Sequence, residues 1–242
     1  MQSNGSRHFE LRATPQMGRR CGFQVDPSGF CIDERRSSND GRLGEIHRVE
    51  NGMAHVAYPQ PTPAVARKRL VCLLQLAHAG ERAAAHAYRG HWRSLPAGGE
   101  REAIRNIENE EWEHRRVVLA ILHDLGVEPQ PVREFLMGSL GSVLGALCHV
   151  SGWFAPMYGA GKLEAQNVNE YTTAGNLARA AQLTRHVPAL LLMAAVEREH
   201  ETWFRLRCQS HWLARIIPMW RVPMCANDSS LAEFAPTSFS GS

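Results

Sequence analysis

Through the middle of the chain, apolar residues recur at the three-and-four spacing of amphipathic helices. From Ala64 to Leu95 the stripe passes through Leu70, Leu74, Ala77, Ala84 and Tyr88, and Pro96-Ala-Gly-Gly99 ends it. From Glu100 to Leu125 it runs through Ile104, Ile107, Val118, Ile121 and Leu125, with Gly126 as the stop. An uncharged stretch, Phe135–Gly161, then leads into Lys162–Ala181. Pro188, in a first helical turn, opens Ala189–Cys208, and a short amphipathic piece, His211–Trp220, closes the series. β-branched alternation is nowhere convincing, so the pattern predicts an all-α fold.

The two ends of the chain read differently. Residues 1–63 are polar, broken by turn clusters such as Asp26-Pro27-Ser28-Gly29 and finished by the proline-rich Tyr58–Pro63. They are expected to be a disordered extension and linker, and Met53 offers an alternative start for the protein. Residues 221–242 are expected to be a flexible tail. That leaves 64–220 as one helical domain of ordinary size.

The informative positions interrupt the apolar stripes. Glu81 lies four residues after Ala77 and seven before Tyr88, so it projects from the core-facing line of the first helix. Glu111 and His114 sit between Ile107 and Val118 on the second. Glu164 follows Met157 and Ala160 on the third. Glu197 and His200 fall between Met193 and Phe204 on the fourth. Four converging buried carboxylates repel one another unless a cation holds them. Two metal ions supply that charge. One glutamate from each of two helices, with Glu-x-x-His from each of the other two, is the ligand set of carboxylate-bridged di-iron bundles. A lone Glu-x-x-His is a weak signal in a chain with 12 histidines; the combination on four apolar stripes is a strong one. The neighbouring Glu108, Glu110, Glu113, Glu199 and Glu201 are read as solvated helix faces, and most other histidines as surface or satisfied core residues.

Composition narrows the options further. Of 242 residues, 27 are basic and 24 acidic, for a formal charge of +3, which argues against a nucleic-acid partner. Six cysteines without a CxxC pair exclude a zinc ribbon and a rubredoxin-type site, and Cys72, Cys148 and Cys208 read as inert core thiols. No GxGxxG fingerprint is present, so electrons would come from NADH or a separate reductase. The first residues lack an apolar signal core, which gives no reason to expect secretion.

On these motifs the chain resembles the demethoxyubiquinone hydroxylases, ferritin-like di-iron monooxygenases of ubiquinone biosynthesis. The likeness spans about Leu70 to Arg207. It is carried by His78-Ala-Gly-Glu81, Ala87-Tyr88-Arg89-Gly90, Glu111-Trp-Glu-His114, Leu163-Glu164, Tyr171 and Glu197-Arg-Glu-His200. The resemblance implies a ferritin-like four-helix bundle whose second and third helices are joined by a long apolar crossover. It implies two iron ions on Glu81, Glu111, His114, Glu164, Glu197 and His200, with O2 as co-substrate and an external reductant such as NADH. The substrate implied is a hydrophobic quinone ring. By position alone, Tyr88 and Tyr171, each two helical turns beyond Glu81 and Glu164, are read as hydrogen-bonding the site, relaying electrons or simply packing the core. In one place the chain departs from the family: Glu170 stands before Tyr171, where the family has histidine.

The crossover, Phe135–Gly161, is expected to bring Leu140, Leu144, Trp153, Phe154 and Met157 to a membrane interface as a peripheral contact. The place expected is the cytoplasmic side of the cell membrane, or otherwise the cytoplasm. A homo-oligomer and protein partners from ubiquinone biosynthesis are left open. The other readings are a di-iron hydroxylase of another substrate, such as a modified tRNA base, and an iron-oxidising or iron-storage protein of the ferritin or rubrerythrin kind.

Overall fold

The computed structural model describes residues 61–222, so the expectations for the polar extension, for Met53 and for most of the tail lie outside the described residues. Among the described residues every regular element is a helix: α1 (Pro63–Ser94), α2 (Gly99–Asp124), α3 (Pro131–Leu147), α4 (Phe154–Ala180) and α5 (Val187–Ser210), with short 3-10 turns at Thr184–His186 and Trp212–Arg215. Prolines stand in the first turns of α1, α3 and α5, where the missing N–H costs nothing. Gly126 takes φ 70° just past α2, and Val127 N–H donates back to the Leu122 carbonyl at 3.0 Å, closing the helix end.

Helices α1, α2, α4 and α5 form the bundle. Arg67 near the start of α1 donates to the Leu125 carbonyl just past the end of α2, so that pair is antiparallel. Tyr88 of α1 meets Glu164 of α4 while Tyr171 of α4 meets Glu81 of α1, so those two are antiparallel as well. It follows that α2 and α4 are parallel, which requires a long crossover between them. Helix α3 is that crossover. The bundle is all-α and ferritin-like.

Two apolar clusters fill the interior. One gathers Leu70, Leu74, Val118, Ile121, Leu122, Ala174, Leu190 and Met193, and the other gathers Ile104, Ile107, Phe154, Met157, Ala165, Phe204, Cys208 and Trp220. Between them lies a layer of acids and histidines.

The crossover corrects the sequence reading. The uncharged stretch is not one element: α3 ends at Leu147, residues 148–153 turn, and α4 begins at Phe154, eight residues before the expected Lys162. Phe154 and Met157, expected on an exposed face, are core residues. Helix α3 packs its glycines on α1. A Cβ on Gly141 would lie 2.1 Å from the Ala83 carbonyl oxygen, and one on Gly90 2.2 Å from the Gly145 oxygen. Glycine is therefore required at this crossing. With its small residues inward, α3 and the turn after it expose Val132, Phe135, Leu136, Leu140, Val143, Leu144, Leu147 and Val150.

The piece after α5 is likewise not the amphipathic helix expected. It is a 3-10 turn followed by irregular chain, with Trp212 and Ile216 exposed and Trp220 folded back into the core against Gly161. Cys208 is a buried thiol as expected, and Cys148 is a half-buried one.

Candidate metal centre

All six side chains singled out by the broken stripes are buried, and the fold brings them together. Their ligand atoms form two overlapping groups, each within 4.8 Å: Glu81, Glu111, His114 and Glu197 in one, Glu111, Glu164, Glu197 and His200 in the other. Glu111 and Glu197 belong to both. Two cations side by side would therefore share these carboxylates, with Glu81 and His114 at one and Glu164 and His200 at the other.

The hydrogen bonding inside the layer fits such ions. Both oxygens of Glu111 and of Glu197, Glu81 Oε2, His114 Nδ1 and His200 Nδ1 are buried without a hydrogen-bond partner. His114 Nδ1 lies 3.0 Å from Glu197 Oε1, yet the two make no hydrogen bond. His200 Nδ1 lies 3.6 Å from Glu197 Oε2 and 3.7 Å from Glu111 Oε1. Buried polar atoms in native proteins are nearly always satisfied, and cations bound here would satisfy the unmatched lone pairs that face one another.

Electrostatics point the same way. Burial, then the charges of Glu197 and Glu81, push the Glu111 carboxyl well above the usual carboxylate range. Burial followed by Glu197 does the same to Glu164, and burial raises Glu81. Glu197 moves oppositely: burial opposes ionisation, but the charge of His114 and the close approach of Glu164 and His200 hold it well below. His200 rises to about 9 against its burial, through Glu110 and Glu197. Burial and mutual repulsion thus favour protons on this layer in the metal-free chain, and a metal would displace them.

The outer contacts repeat across the bundle. Tyr88 donates to Glu164 Oε1 and Tyr171 donates to Glu81 Oε1, each reaching from one helix to the glutamate of the other. The spacing repeats too, since 83 residues separate both Glu81 from Glu164 and Tyr88 from Tyr171, and 86 separate Glu111 from Glu197 and His114 from His200. Asn167 adds a donor to Glu164 Oε2 at 3.2 Å. One contact breaks the symmetry: His200 Nε2 meets Glu110 Oε2 at 2.6 Å, so a half-exposed carboxylate orients that imidazole.

Several of these residues escaped the sequence reading. Glu110 is not merely a solvated acid. Glu108 and Glu201, also expected in solvent, are buried; Glu108 accepts from Arg89 and Trp92, and Glu201 from Arg205 and Trp220, all at 2.7 Å. A signal existed, because Glu108 is three residues before Glu111 and Glu201 four after Glu197, on the same helical lines. His78 is buried against Glu134 at 2.7 Å, and Arg115 pairs with the other Glu134 oxygen at 2.6 Å, fastening α3 to α1 and α2.

Two cavities open beside the layer, between α1, α3 and α4. The first, about 300 Å³, reaches Glu81, Tyr171 and Glu170. Burial, with the charges of Glu81 and Glu197, raises the Glu170 carboxyl to about 7, and its Oε1 has no partner. The second, about 350 Å³, reaches Tyr88 and His91. Ala84, Ala87, Leu144 and Leu163 line both.

A ferritin-like bundle with a carboxylate–histidine layer able to hold two metal ions defines the class of the protein. Residues 68–173, from α1 into α4, match the family described as ubiquinone biosynthesis protein COQ7. The match includes Glu81, Glu111, His114, Glu164 and Tyr171 and stops before Glu197 and His200, which join the site through the fold. No curated protein and no solved structure gives a significant match. The family implies a hydroxylase role in ubiquinone biosynthesis.

Proposed function

We propose that this protein is a di-iron, O2-dependent monooxygenase that hydroxylates the ring of a late, prenylated ubiquinone-biosynthesis intermediate. The observation that carries the reading is the sharing of Glu111 and Glu197 between two buried ligand groups, in a chain with a COQ7-family segment. Glu81, Glu111, His114, Glu164, Glu197 and His200 would hold the irons. Bound there, the metals supply reductive activation of O2 and insertion of one oxygen atom into the ring, with the electrons drawn from an external reductant such as NADH.

The chain's own groups prepare the site. Tyr88 and Tyr171 fix one oxygen each of Glu164 and Glu81, Asn167 fixes the other oxygen of Glu164, and Glu81 Oε2 is left without a partner. Glu110 holds His200 with Nδ1 toward the shared carboxylates. The two apolar clusters exclude water from either end of the layer. Substrate would approach through the cavities between α1, α3 and α4.

The exposed face of α3 supports a peripheral membrane contact. Val132 is 73% exposed and Phe135 69%, and Leu140, Leu144 and Leu147 of the same face also line the cavities. An apolar surface continuous with the cavity mouths would let a lipid-soluble ring pass from the bilayer interface without crossing water. No helix among the described residues is long and apolar enough to cross a membrane.

The test is turnover by the full chain, reconstituted anaerobically with ferrous iron and given NADH, a ferredoxin-type or flavin reductase, and a short-chain demethoxy benzoquinone. The product should gain one oxygen atom, isotope-labelled when labelled O2 is used. Iron oxidation without any ring product would favour an iron-oxidising protein instead.

A further inference from the structure

Residue 91 lies one helical turn beyond Tyr88 on α1, and its imidazole belongs to neither metal-ligand group. The side chain is only 3% exposed, and Nε2 is buried without a hydrogen-bond partner. One ring face lies against Phe204, with centroids 6.3 Å apart and planes 15° from parallel. The ring also lines the larger cavity, whose remaining wall is almost entirely aliphatic apart from the Tyr88 phenol, Cys148 and Ser151. Just before it, Gly90 permits the close crossing with Gly145 that brings α3 over this cavity. A histidine held this way is costly to a core unless something meets its nitrogen.

We propose that His91 is a substrate-positioning residue, whose Nε2 hydrogen-bonds a ring oxygen of an apolar, oxygen-bearing aromatic or quinone ligand seated in the cavity beside Tyr88. This rests on the hydroxylase reading for the class of ligand, and goes beyond it by assigning an orienting contact. A cavity of about 350 Å³ suits one substituted ring, and its aliphatic wall offers few competing polar anchors. Burial lowers the imidazole to about pKa 4, so at neutral pH it is uncharged and offers Nε2 as either an N–H donor or an acceptor without bringing a charge into the cavity. Tyr88, whose hydroxyl meets Glu164, and His91 one turn further along the same helix face would set which ring edge faces Glu164.

The test is equilibrium binding to the full chain, with and without iron, of two probes of similar shape: decylbenzoquinone and decylbenzene. Wild type should prefer the quinone. His91→Leu should weaken quinone binding by roughly tenfold and leave decylbenzene unchanged or tighter, and His91→Gln, which keeps a hydrogen-bonding group, should retain most of the preference. Equal quinone affinity in wild type and His91→Leu would overturn the assignment. So would loss of both probes in a variant with unchanged Tm, because that outcome reports packing alone. Binding does not require turnover, so a chain that takes no iron yet loses its quinone preference at His91→Leu would contradict the hydroxylase reading and leave this one standing.

Discussion

At the centre of the bundle, six acids and histidines that ordinarily face water are buried; along α3, seven large apolar side chains that ordinarily leave water face it. Both regions sit on well-formed helices, so neither follows from local propensity. In the first, the cost of burial is electrostatic and calls for cations. In the second, the cost is hydrophobic and calls for an apolar surface to cover it. The cavities join the two, because Leu140, Leu144 and Leu147 belong to the exposed face and to the cavity walls.

If the central layer is held for metal rather than for stability, removing a shared acid should uncouple the two. Glu111→Leu or Glu197→Leu should abolish iron binding, yet the metal-free variant should match or exceed metal-free wild type in chemical denaturation, by about 1–4 kcal/mol for relief of a buried acid. Lower stability in both would show that these acids hold the fold together by themselves.

The seating of α3 gives the next largest effect. Gly141→Leu places side-chain atoms where a Cβ already falls 2.1 Å from backbone, and should destabilise by about 1–3 kcal/mol and reshape both cavities. Denaturation midpoints check it. Tyr88→Phe and Tyr171→Phe should cost about 1 kcal/mol each by leaving a glutamate oxygen unmatched, with the larger loss in the metal-free state.

A pH series sharpens the same point. His200, raised to about 9, contributes stability that is complete below its ordinary value of 6.5 and is lost as pH climbs toward 9. Glu111 and Glu164, raised by burial, stay protonated where the unfolded chain ionises, so they too make the metal-free fold weaker with rising pH. Glu197, held low, instead gives stability that is lost on the acid side, as does Glu108, held low against its burial by Trp92 and Arg89. Metal-free Tm should therefore fall from pH 6.5 to 9, and iron should flatten that fall, because its binding releases the protons. On α3 the smallest stability effect accompanies a large functional one. Phe135→Ser with Leu136→Ser should change stability by no more than about 0.5 kcal/mol per site, while co-sedimentation with anionic vesicles is lost.

The contrast also separates what the sequence makes legible from what it hides. Four core-facing stripes with acids in them are visible because a 3.6-residue period maps sequence onto one helix face. Glu81, Glu111, His114, Glu164, Glu197 and His200 were all readable that way, and all converge. The facing of α3 was not readable. Hydropathy favours burying Leu and Phe, but the row Gly138, Gly141 and Gly145 lets α3 approach α1 closely with its small side inward, so the large residues are left outside. The tyrosine contacts were half readable: each lies two turns from a glutamate of its own helix but bonds the glutamate of the opposite one. Glu108 and Glu201 were misread because the tryptophans and arginines that satisfy them come from positions up to 19 residues away, which single-helix periodicity does not reveal.

The most direct test of the central claim is ferrous iron bound per chain, measured after anaerobic reconstitution of the full protein and of its Glu111→Ala and Glu197→Ala variants. The geometry predicts about two irons per wild-type chain and loss of both in either variant, since each acid belongs to both ligand groups. Metal-free wild type, or variants that still bind two irons, would contradict it.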